Sequence, residues 1–346
     1  MNTRGYVAHA PNTELVPFEF DRRALRPRDV ALDVLFAGIC HSDIHQVREE
    51  WGPSLFPMVP GHEIIGVVSA VGDAVRKFKV GDRIGVGVFV DSCRECDHCR
   101  DGLEQYCTGG ITPTYNGYER DGTTISFGGY SNYFVIDEEY AVHVADTLDP
   151  AGAAPLLCAG ITLYSPLRHW KAGPGKRVAI IGLGGLGHMG LQFAHAMGAE
   201  TTVFSHSASK HDDAIALGAD HFVNTSEGDN LADHELRYDI IINSTSADLD
   251  LNGYLRLLKL DGTLIIVGLS GVPVSIAQDL LIGGRRSLAG SMIGGMAELQ
   301  EMMDFSAEHR ITSKVEVVTA QQLHDAYERT VASDVKYRFV IDASTF

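Results

Sequence analysis

The chain has 346 residues, which is too long for one ordinary hydrophobic core and suits two domains of about 150 residues each. Hydrophobic residues make up 45% of the chain and charged residues 21%, which excludes the disordered, collagen-like and disulfide-scaffold classes. The 28 basic and 45 acidic residues give a net charge of -17, so no nucleic-acid partner is expected, because nucleic acids require a basic face.

Targeting signals are not evident in the sequence. The first six residues lack the basic and then apolar layout of a signal peptide, and no apolar run approaches the roughly 18 residues of a membrane span. We therefore expect a cytoplasmic protein without a membrane partner. The six cysteines are an even number, but a reducing compartment favours metal ligation or free thiols over disulfides.

The first part of the chain has short β-branched runs broken by Gly, Pro and Asp, a pattern that predicts an irregular, strand-rich domain. The predicted strands are Leu32–Phe36, Ile64–Val71, Arg83–Val90 and Tyr133–Ile136.

After residue 171 the pattern changes to short apolar strands that alternate with amphipathic stretches of helix length. The predicted strands are Val178–Ile181, Thr201–Phe204, His221–Val223, Tyr238–Ile242, Thr263–Val267 and Ser287–Ala289. The predicted helices are Gly187–Met197, Lys210–Leu217 and Leu251–Leu258. This alternation predicts a parallel, doubly wound α/β sheet.

The last 50 residues predict a helix over Ala297–His309 and strands over Val315–Val318 and Phe339–Ile341. We assign this tail to the first domain. The expected division is therefore a first domain of residues 1–153 and 295–346, and a second domain of residues 154–294.

Four cysteines lie close together in the sequence, at Cys93, Cys96, Cys99 and Cys107. Their spacing allows a tetrahedral four-thiolate zinc site that leaves no coordination position open, so its expected role is to fix the loop. The alternative is four free or disulfide-paired cysteines.

The remaining two cysteines, Cys40 and Cys158, are far apart, and His62-Glu63 lies between them in the sequence. Two thiolates and one imidazole make the kind of site in which zinc keeps its fourth position for water or substrate. Taken singly, each of these residues is more often a core or surface residue. Together they give all six cysteines a role as metal ligands.

A glycine-rich segment, Gly182-Leu-Gly184-Gly185-Leu186-Gly187, follows an apolar strand and opens a helix. In this context it matches the fingerprint of a dinucleotide-binding turn, whose glycines let the backbone approach a pyrophosphate. The helix N-terminus adds N–H groups and the positive end of a dipole. The alternative is a purely structural turn.

The residues after the second strand of this domain favour NADP over NAD. An NAD enzyme places an Asp or Glu there for the ribose hydroxyl, whereas this chain has Ser205-His206-Ser207 and then Lys210. Small hydroxyls and an ammonium suit a 2′-phosphate. Lys210 has the alternative of a solvated surface charge.

These motifs together resemble the zinc-containing medium-chain alcohol dehydrogenases, in particular the cinnamyl-alcohol-dehydrogenase-like group with its bacterial broad-range aldehyde reductases. The resemblance covers nearly the whole chain. It rests on Gly38-Ile-Cys-His-Ser-Asp43, Pro60-Gly-His-Glu63, the four-cysteine loop, Cys158-Ala-Gly-Ile-Thr162, the glycine-rich segment and Lys336-Tyr-Arg-Phe-Val-Ile-Asp342. It implies a GroES-like β-rich catalytic domain and a Rossmann domain that binds NADP.

The resemblance also implies roles for residues of the catalytic domain. Cys40, His62 and Cys158 would ligate the catalytic zinc, and Glu63 would be an occasional fourth ligand. Asp43 would orient a ligand histidine. The implied proton relay is Ser42 and His45, with Glu50 in the place of a supporting Asp. Gln46 and Trp51 follow the relay segment in the sequence, and we expect them to line the entrance to the site.

For the cofactor, the resemblance implies that Thr162 touches the nicotinamide side and that Arg338 reaches the pyrophosphate, with a surface position as the alternative for Arg338. Val267 and Gly268 are further expected cofactor contacts. The expected reaction is hydride transfer between NADPH and a broad range of aliphatic and aromatic aldehydes or primary alcohols.

Three alternatives remain open from the sequence. One is an NAD-dependent polyol or formaldehyde dehydrogenase of the same superfamily, and another is a zinc-free quinone reductase, which would lack these metal ligands. A third, of a different class, is a non-catalytic NADPH-binding protein. The resemblance implies a homodimer formed through the edge strand near Arg286–Met292, with a tetramer as the alternative.

Overall fold

The structure is a computed structural model and describes residues 2–226 and 231–346. The chain divides into two compact units. The first unit is Met1–Ile161 with Gly294–Phe346, and the second is Thr162–Ile293. Within the described residues, no helix combines the length and apolar character needed to cross a membrane.

The first unit is built on a seven-stranded, mostly antiparallel sheet. Its path runs through Val142–His143, Arg83–Val86, Ile64–Val71, Asp29–Gly38, Arg338–Asp342 and Val315–Val318, and Tyr133–Asp137 also pairs with Asp29–Gly38. Three two-stranded sheets accompany it: Asn2–Val7 with Val16–Asp21, Phe89–Asp91 with Thr112–Pro113, and Gly117–Tyr118 with Ile125–Ser126. The predicted irregular β-rich fold is confirmed.

Helices of the first unit are mostly short and connect the strands. They are His41–Val47, Asp97–Arg100, Pro150–Ala153, Met296–His309 and Leu323–Val331, and Ala159–His169 crosses the division between the units. Single 3-10 turns occur at Glu104–Tyr106, Glu138–Tyr140, Ala154–Leu157, Ala320–Gln322 and Ala343–Thr345. The predicted tail helix and strands are present in the Gly294–Phe346 part of this unit.

The second unit contains a six-stranded sheet in which all neighbouring strands are parallel. In spatial order its strands are His221–Asn224, Glu200–Ser205, Arg177–Ile181, Tyr238–Asn243, Leu258–Ile266 and Ser287–Gly290. The strand order reverses beside Arg177–Ile181, and such a reversal opens a crevice at the carboxyl ends of the strands. The predicted doubly wound sheet is confirmed.

Helices of the second unit are Gly187–Ala196, His211–Ala216, Leu251–Arg256 and Gln278–Ile282, with 3-10 turns at Ala208–Lys210 and Ala232–His234. The central strands are almost wholly buried, as expected for parallel strands whose two faces are covered.

Two predicted boundaries are wrong. The expected strand Arg83–Val90 is two strands, Arg83–Val86 and Phe89–Asp91. The chain leaves the large sheet at Gly87, whose carbonyl accepts a hydrogen bond from the Thr114 hydroxyl at 2.5 Å.

The helix expected to reach Leu258 ends at Arg256, and Leu258 begins a strand that was expected only from Thr263. Leu258 is fully buried and pairs with Tyr238, and a register shift then brings Thr263 opposite Ile240. A register shift interrupts the alternation of apolar and polar residues along a strand, so the sequence does not indicate that this strand begins at Leu258.

Candidate metal centre and cofactor site

Four predicted metal ligands, Cys40, His62, Glu63 and Cys158, lie together in the first unit, and we call them the buried metal cluster. All four are buried, and one ligand atom from each lies within 4.8 Å of the others. The sulfur atoms of Cys40 and Cys158 are 3.9 Å apart. Residues that are 118 positions apart in sequence therefore converge on one point.

Local structure explains where these side chains lie. Cys40 is the residue before helix His41–Val47, and its backbone N–H donates to the Asp43 carboxylate at 2.9 Å, as in a capping box. His62 and Glu63 immediately precede strand Ile64–Val71, and Cys158 immediately precedes helix Ala159–His169. Each ligand therefore stands at the end of a regular element that fixes its backbone.

The orientation of His62 suits a metal ligand. Its Nδ1 lies 3.1 Å from Asp43 Oδ1, while its buried Nε2 has no hydrogen-bond partner among the described residues. A buried, unpaired ring nitrogen is costly unless a ligand satisfies it. With Nδ1–H donating to Asp43, the Nε2 lone pair is available to a metal ion.

The contact between the two thiols of the cluster shifts their pKa values in opposite directions. The hydrogen bond between the Cys158 and Cys40 sulfur atoms lowers the pKa of Cys40, against the effect of burial, and the positive charge of Arg338 acts in the same direction. The same hydrogen bond, together with burial, raises the pKa of Cys158. Cys40 is therefore the thiol of the pair that loses its proton more readily, and thiolate is the form that ligates zinc.

Glu63 and Arg338 form a buried ion pair. Burial raises the pKa of Glu63 to about 7, although the Arg338 charge opposes this shift. The second carboxylate oxygen, Oε2, has no partner among the described residues, so it can serve as an additional ligand. The surface alternative for Arg338 is wrong because its side chain is only 7% exposed, and its contact with the pyrophosphate stays a prediction.

The predicted relay residues lie on and just after helix His41–Val47. The Ser42 hydroxyl is 3.5 Å from the Cys40 sulfur, and His45 lies three residues further along the same helix. His45 Nδ1 contacts the Glu50 carboxylate, and the His45 ring stacks on Trp51 with centroids 4.7 Å apart. Glu50 therefore holds the position of a supporting carboxylate for His45.

The predicted entrance residues differ in exposure. Trp51 is 46% exposed, whereas Gln46 is partly buried and accepts a hydrogen bond from the Asn116 side chain. Their part in lining the site stays a prediction.

The four-cysteine loop brings the sulfur atoms of Cys93, Cys96, Cys99 and Cys107 within 4.8 Å of one another. Short helix Asp97–Arg100 turns Cys99 towards Cys93 and Cys96, with sulfur distances of 3.9 and 3.5 Å. Backbone N–H groups of Cys99 and Thr108 lower the pKa of Cys96 to about 5. None of the six cysteines forms a disulfide, so of the alternative only free thiols remain beside the zinc site.

The glycine-rich segment follows strand Arg177–Ile181 and opens helix Gly187–Ala196. Gly182 has φ +88°, a left-handed conformation that favours glycine. At Gly187 a Cβ would lie 1.9 Å from the Gly182 carbonyl oxygen, so only glycine fits. At Gly184 a Cβ would meet no atom within 4 Å, so this side of the turn has the open space that a pyrophosphate needs. Gly185 and Leu186 complete the turn.

The residues predicted to contact the 2′-phosphate follow strand Glu200–Ser205. The Ser207 N–H donates to the Ser205 hydroxyl at 3.3 Å, and His206 is exposed between them. The Lys210 ammonium donates to the Leu183 carbonyl oxygen at 2.8 Å, which brings its charge to the glycine-rich turn. The alternative of a freely solvated Lys210 is therefore wrong.

The remaining predicted cofactor contacts also lie in the second unit. The N–H groups of Val267 and Gly268 both donate to the Asn243 carbonyl oxygen at 3.1 Å, which places them at the carboxyl ends of neighbouring strands. Thr162 is buried in helix Ala159–His169. Its contact with nicotinamide stays a prediction.

Sequence reasoning missed three buried tyrosines near Asp43, namely Tyr115, Tyr130 and Tyr327. They come from distant parts of the chain, and a single tyrosine carries no spacing signal. Only Gly128-Gly-Tyr130, a pair of glycines before an aromatic residue, hints at a close backbone approach.

The fold and the two cysteine-containing sites define a zinc-dependent dehydrogenase. Residues 26–146 match the alcohol dehydrogenase GroES-like domain, and residues 185–308 match the zinc-binding dehydrogenase family. The chain belongs to the zinc-binding alcohol dehydrogenases.

Individual relatives agree with this assignment over nearly full length. NADP-dependent alcohol dehydrogenase C 1 of Mycolicibacterium smegmatis is 54% identical over 98% of this chain and 97% of its own. Aldehyde reductase YahK of Escherichia coli is 48% identical over 100% of this chain and 99% of its own. A cinnamyl alcohol dehydrogenase structure from Sorghum bicolor superposes with a TM-score of 0.95, at 41% identity over 99% of this chain and 98% of its own.

Proposed function

We propose that this protein is a zinc-dependent, NADP(H)-using alcohol dehydrogenase and aldehyde reductase that accepts a broad range of aliphatic and aromatic aldehydes and primary alcohols. One observation carries the proposal. The buried metal cluster joins two thiols to a histidine whose Nε2 is buried and unpaired among the described residues. A site of this composition suits zinc with a position left for an oxygen of the substrate.

The donor sets fit two zinc ions per chain. Cys40, His62 and Cys158 would hold the catalytic ion, with Glu63 as an exchangeable fourth ligand, and the four-cysteine loop would hold a structural ion. When bound, the catalytic zinc supplies a Lewis acid that polarises a carbonyl oxygen, and NADPH supplies the hydride.

The chain's own residues manage the proton. Ser42 lies beside Cys40, and His45 is held by Glu50 at the end of the same helix. We assign Ser42 and His45 to the path by which a proton leaves or reaches the substrate oxygen. Glu50 orients the His45 ring through its contact with Nδ1.

NADP is the cofactor that the second unit supports. No carboxylate follows directly after strand Glu200–Ser205, and Lys210 brings a positive charge to the glycine-rich turn. The names of relatives also state NADP. One of them is a cinnamyl alcohol dehydrogenase structure from Helicobacter pylori in complex with NADP(H). It superposes with a TM-score of 0.93 at 40% identity over 99% of each chain. We accordingly assign catalysis to the first unit and NADP binding to the second.

Steady-state kinetics test the function. We expect NADPH-dependent reduction of aliphatic, benzylic and cinnamyl aldehydes, with NADPH preferred over NADH. A clear preference for NADH would contradict the cofactor assignment. Formaldehyde belongs in the same panel because Probable formaldehyde dehydrogenase AdhA of Bacillus subtilis is 55% identical over 98% of this chain and 97% of its own. Exclusive oxidation of formaldehyde would favour that alternative.

We further propose a homodimer in the cytoplasm. Strand Ser287–Gly290 lies at the edge of the six-stranded sheet, and large apolar side chains shortly before and after it in the sequence are exposed, namely Ile282 and Met292. An edge strand with apolar neighbours favours pairing with a second copy. The six free cysteines suit a reducing compartment. Sedimentation equilibrium would give twice the chain mass, and a monomer mass would contradict the dimer.

A further inference from the structure

Asp43 is a fully buried carboxylate beside the buried metal cluster. Its Oδ1 faces His62 Nδ1 and the Gly61 N–H, each at 3.1 Å. Its Oδ2 accepts hydrogen bonds from the Cys40 N–H at 2.9 Å and from the Tyr130 hydroxyl at 3.1 Å. Each oxygen therefore has two partners, which compensate the cost of burying the charge.

Tyr130 belongs to a group of three buried tyrosines around this carboxylate. The Tyr327 hydroxyl donates to the Tyr130 hydroxyl at 3.5 Å, and the Tyr115 ring stacks on the His62 ring with centroids 5.8 Å apart. Burial, and then the negative charge of Asp43, raise the pKa of all three phenols. They therefore stay neutral, and Tyr130 stays a hydrogen-bond donor to Asp43.

The backbone around Tyr130 is tied to the segment that leads into His62. Backbone N–H groups of residues 128–130 donate to carbonyl oxygens of residues 59–61 at 2.7–2.9 Å. The two segments approach so closely that a Cβ on Gly61 would lie 2.6 Å from the Tyr130 ring. These backbone hydrogen bonds fix the position of Tyr130, so its hydroxyl lies within hydrogen-bond distance of Asp43.

We propose that Tyr130 is a positioning residue for the buried metal cluster: its hydroxyl holds Asp43 against His62, and Asp43 in turn fixes the His62 ring with Nε2 free for the metal. This inference rests on the proposed zinc assignment. Without the hydroxyl, Asp43 Oδ2 loses one donor and keeps the Cys40 N–H, so the carboxylate is freer to turn away from His62. Groups that orient a metal-ligating histidine commonly contribute about 10–100-fold to metal affinity.

The test is Tyr130→Phe, which removes one hydroxyl and keeps the ring. Zinc release from the isolated holoenzyme is followed during competition with a chelator, so that both zinc ions of each chain are measured separately. We expect the zinc of the buried metal cluster to bind about 10-fold more weakly. The zinc of the four-cysteine loop should keep its wild-type affinity.

Tyr6→Phe is the matched control. Tyr6 is a buried tyrosine of the same hydrophobic cluster as Tyr130, and its ring packs against Phe346 rather than against Asp43. This variant should keep both zinc affinities. An equal loss of zinc in Tyr6→Phe, or an unchanged zinc affinity in Tyr130→Phe, would overturn the role of Tyr130.

Two further variants separate the possible causes. If Tyr130 acts through Asp43, adding Tyr130→Phe to Asp43→Asn should cost no further zinc affinity, whereas additive losses would overturn the inference. Cys40→Ser should abolish one of the two bound zinc ions. If Cys40→Ser kept both ions, the proposed function would fail and the inference with it. If Cys40→Ser lost one ion while Tyr130→Phe matched the wild type, only the inference would fail.

Discussion

Replacing Gly187 with alanine should destabilise the nucleotide-binding turn. A Cβ at this position would lie 1.9 Å from the Gly182 carbonyl oxygen and 3.0 Å from the Ser244 hydroxyl, against the ~3.5 Å at which non-bonded heavy atoms pack. The nearest atom is backbone, so no flexible side chain can yield. Forcing extra atoms into a filled space costs about 1–3 kcal/mol of the free energy of unfolding. The Tm should fall by roughly 2–4 °C for each kcal/mol.

Gly184→Ala provides the matched control, since a Cβ there meets nothing within 4 Å. Its Tm without cofactor should equal that of the wild type, while its KM for NADPH should rise because the methyl group enters the space assigned to the pyrophosphate. Differential scanning calorimetry without cofactor and NADPH titration separate the two effects. A wild-type Tm for Gly187→Ala, or an equal loss of stability in Gly184→Ala, would refute this reasoning.

Three other predictions concern the cofactor, the relay and stability at low pH. Lys210→Ala should raise the KM for NADPH by about 10-fold or more, because a hydrogen bond to a charged group contributes ~1.5–3 kcal/mol. The KM for NADH should stay unchanged. Equal effects on both cofactors would contradict the assignment of Lys210 to the 2′-phosphate. His45→Ala should lower kcat by about 100-fold at unchanged zinc content, and an unchanged kcat would remove it from the relay. Burial alone would raise the pKa of Asp239, but hydrogen bonds from the Arg177 N–H and the Lys259 ammonium lower this pKa in the folded state. The ionised Asp239 carboxylate therefore stabilises the fold above pH ~4, and this stabilisation is lost as the pH falls through the folded-state pKa. In urea denaturation at pH 7, the free energy of unfolding of Asp239→Asn should therefore be about 1 kcal/mol below that of the wild type, and the difference should be smaller below pH 4. A difference that grew as the pH fell would contradict the predicted direction of the pH dependence.

The parts of this protein that sequence predicts well are those whose geometry is contained in local spacing. The four-cysteine loop and the glycine-rich segment each fit within one turn or loop, so the distance along the chain limits the distance in space. The six parallel strands were predicted because apolar runs alternate with amphipathic helices along the chain, whereas their spatial order in the sheet was not. Their ends were less certain, as at Leu258, where an irregular pairing breaks the pattern.

Long-range side-chain contacts could not be predicted from spacing. The pairing of Glu63 with Arg338 joins residues 275 positions apart, and nothing local to either residue indicates the other. The contact between Tyr130 and Asp43 likewise depends on the backbone hydrogen bonds that bring residues 128–130 beside residues 59–61. Resemblance to a family suggested the metal ligands, whereas the partners that orient them emerged only from the folded structure.

The most direct test of the central claim is anomalous X-ray diffraction from crystals of the protein at the zinc absorption edge. We predict two anomalous peaks per chain, one bonded to Cys40, His62 and Cys158 and one at the centre of the four-cysteine loop. A single peak at the four-cysteine loop, with no metal near His62 Nε2, would contradict a catalytic zinc site in the buried metal cluster.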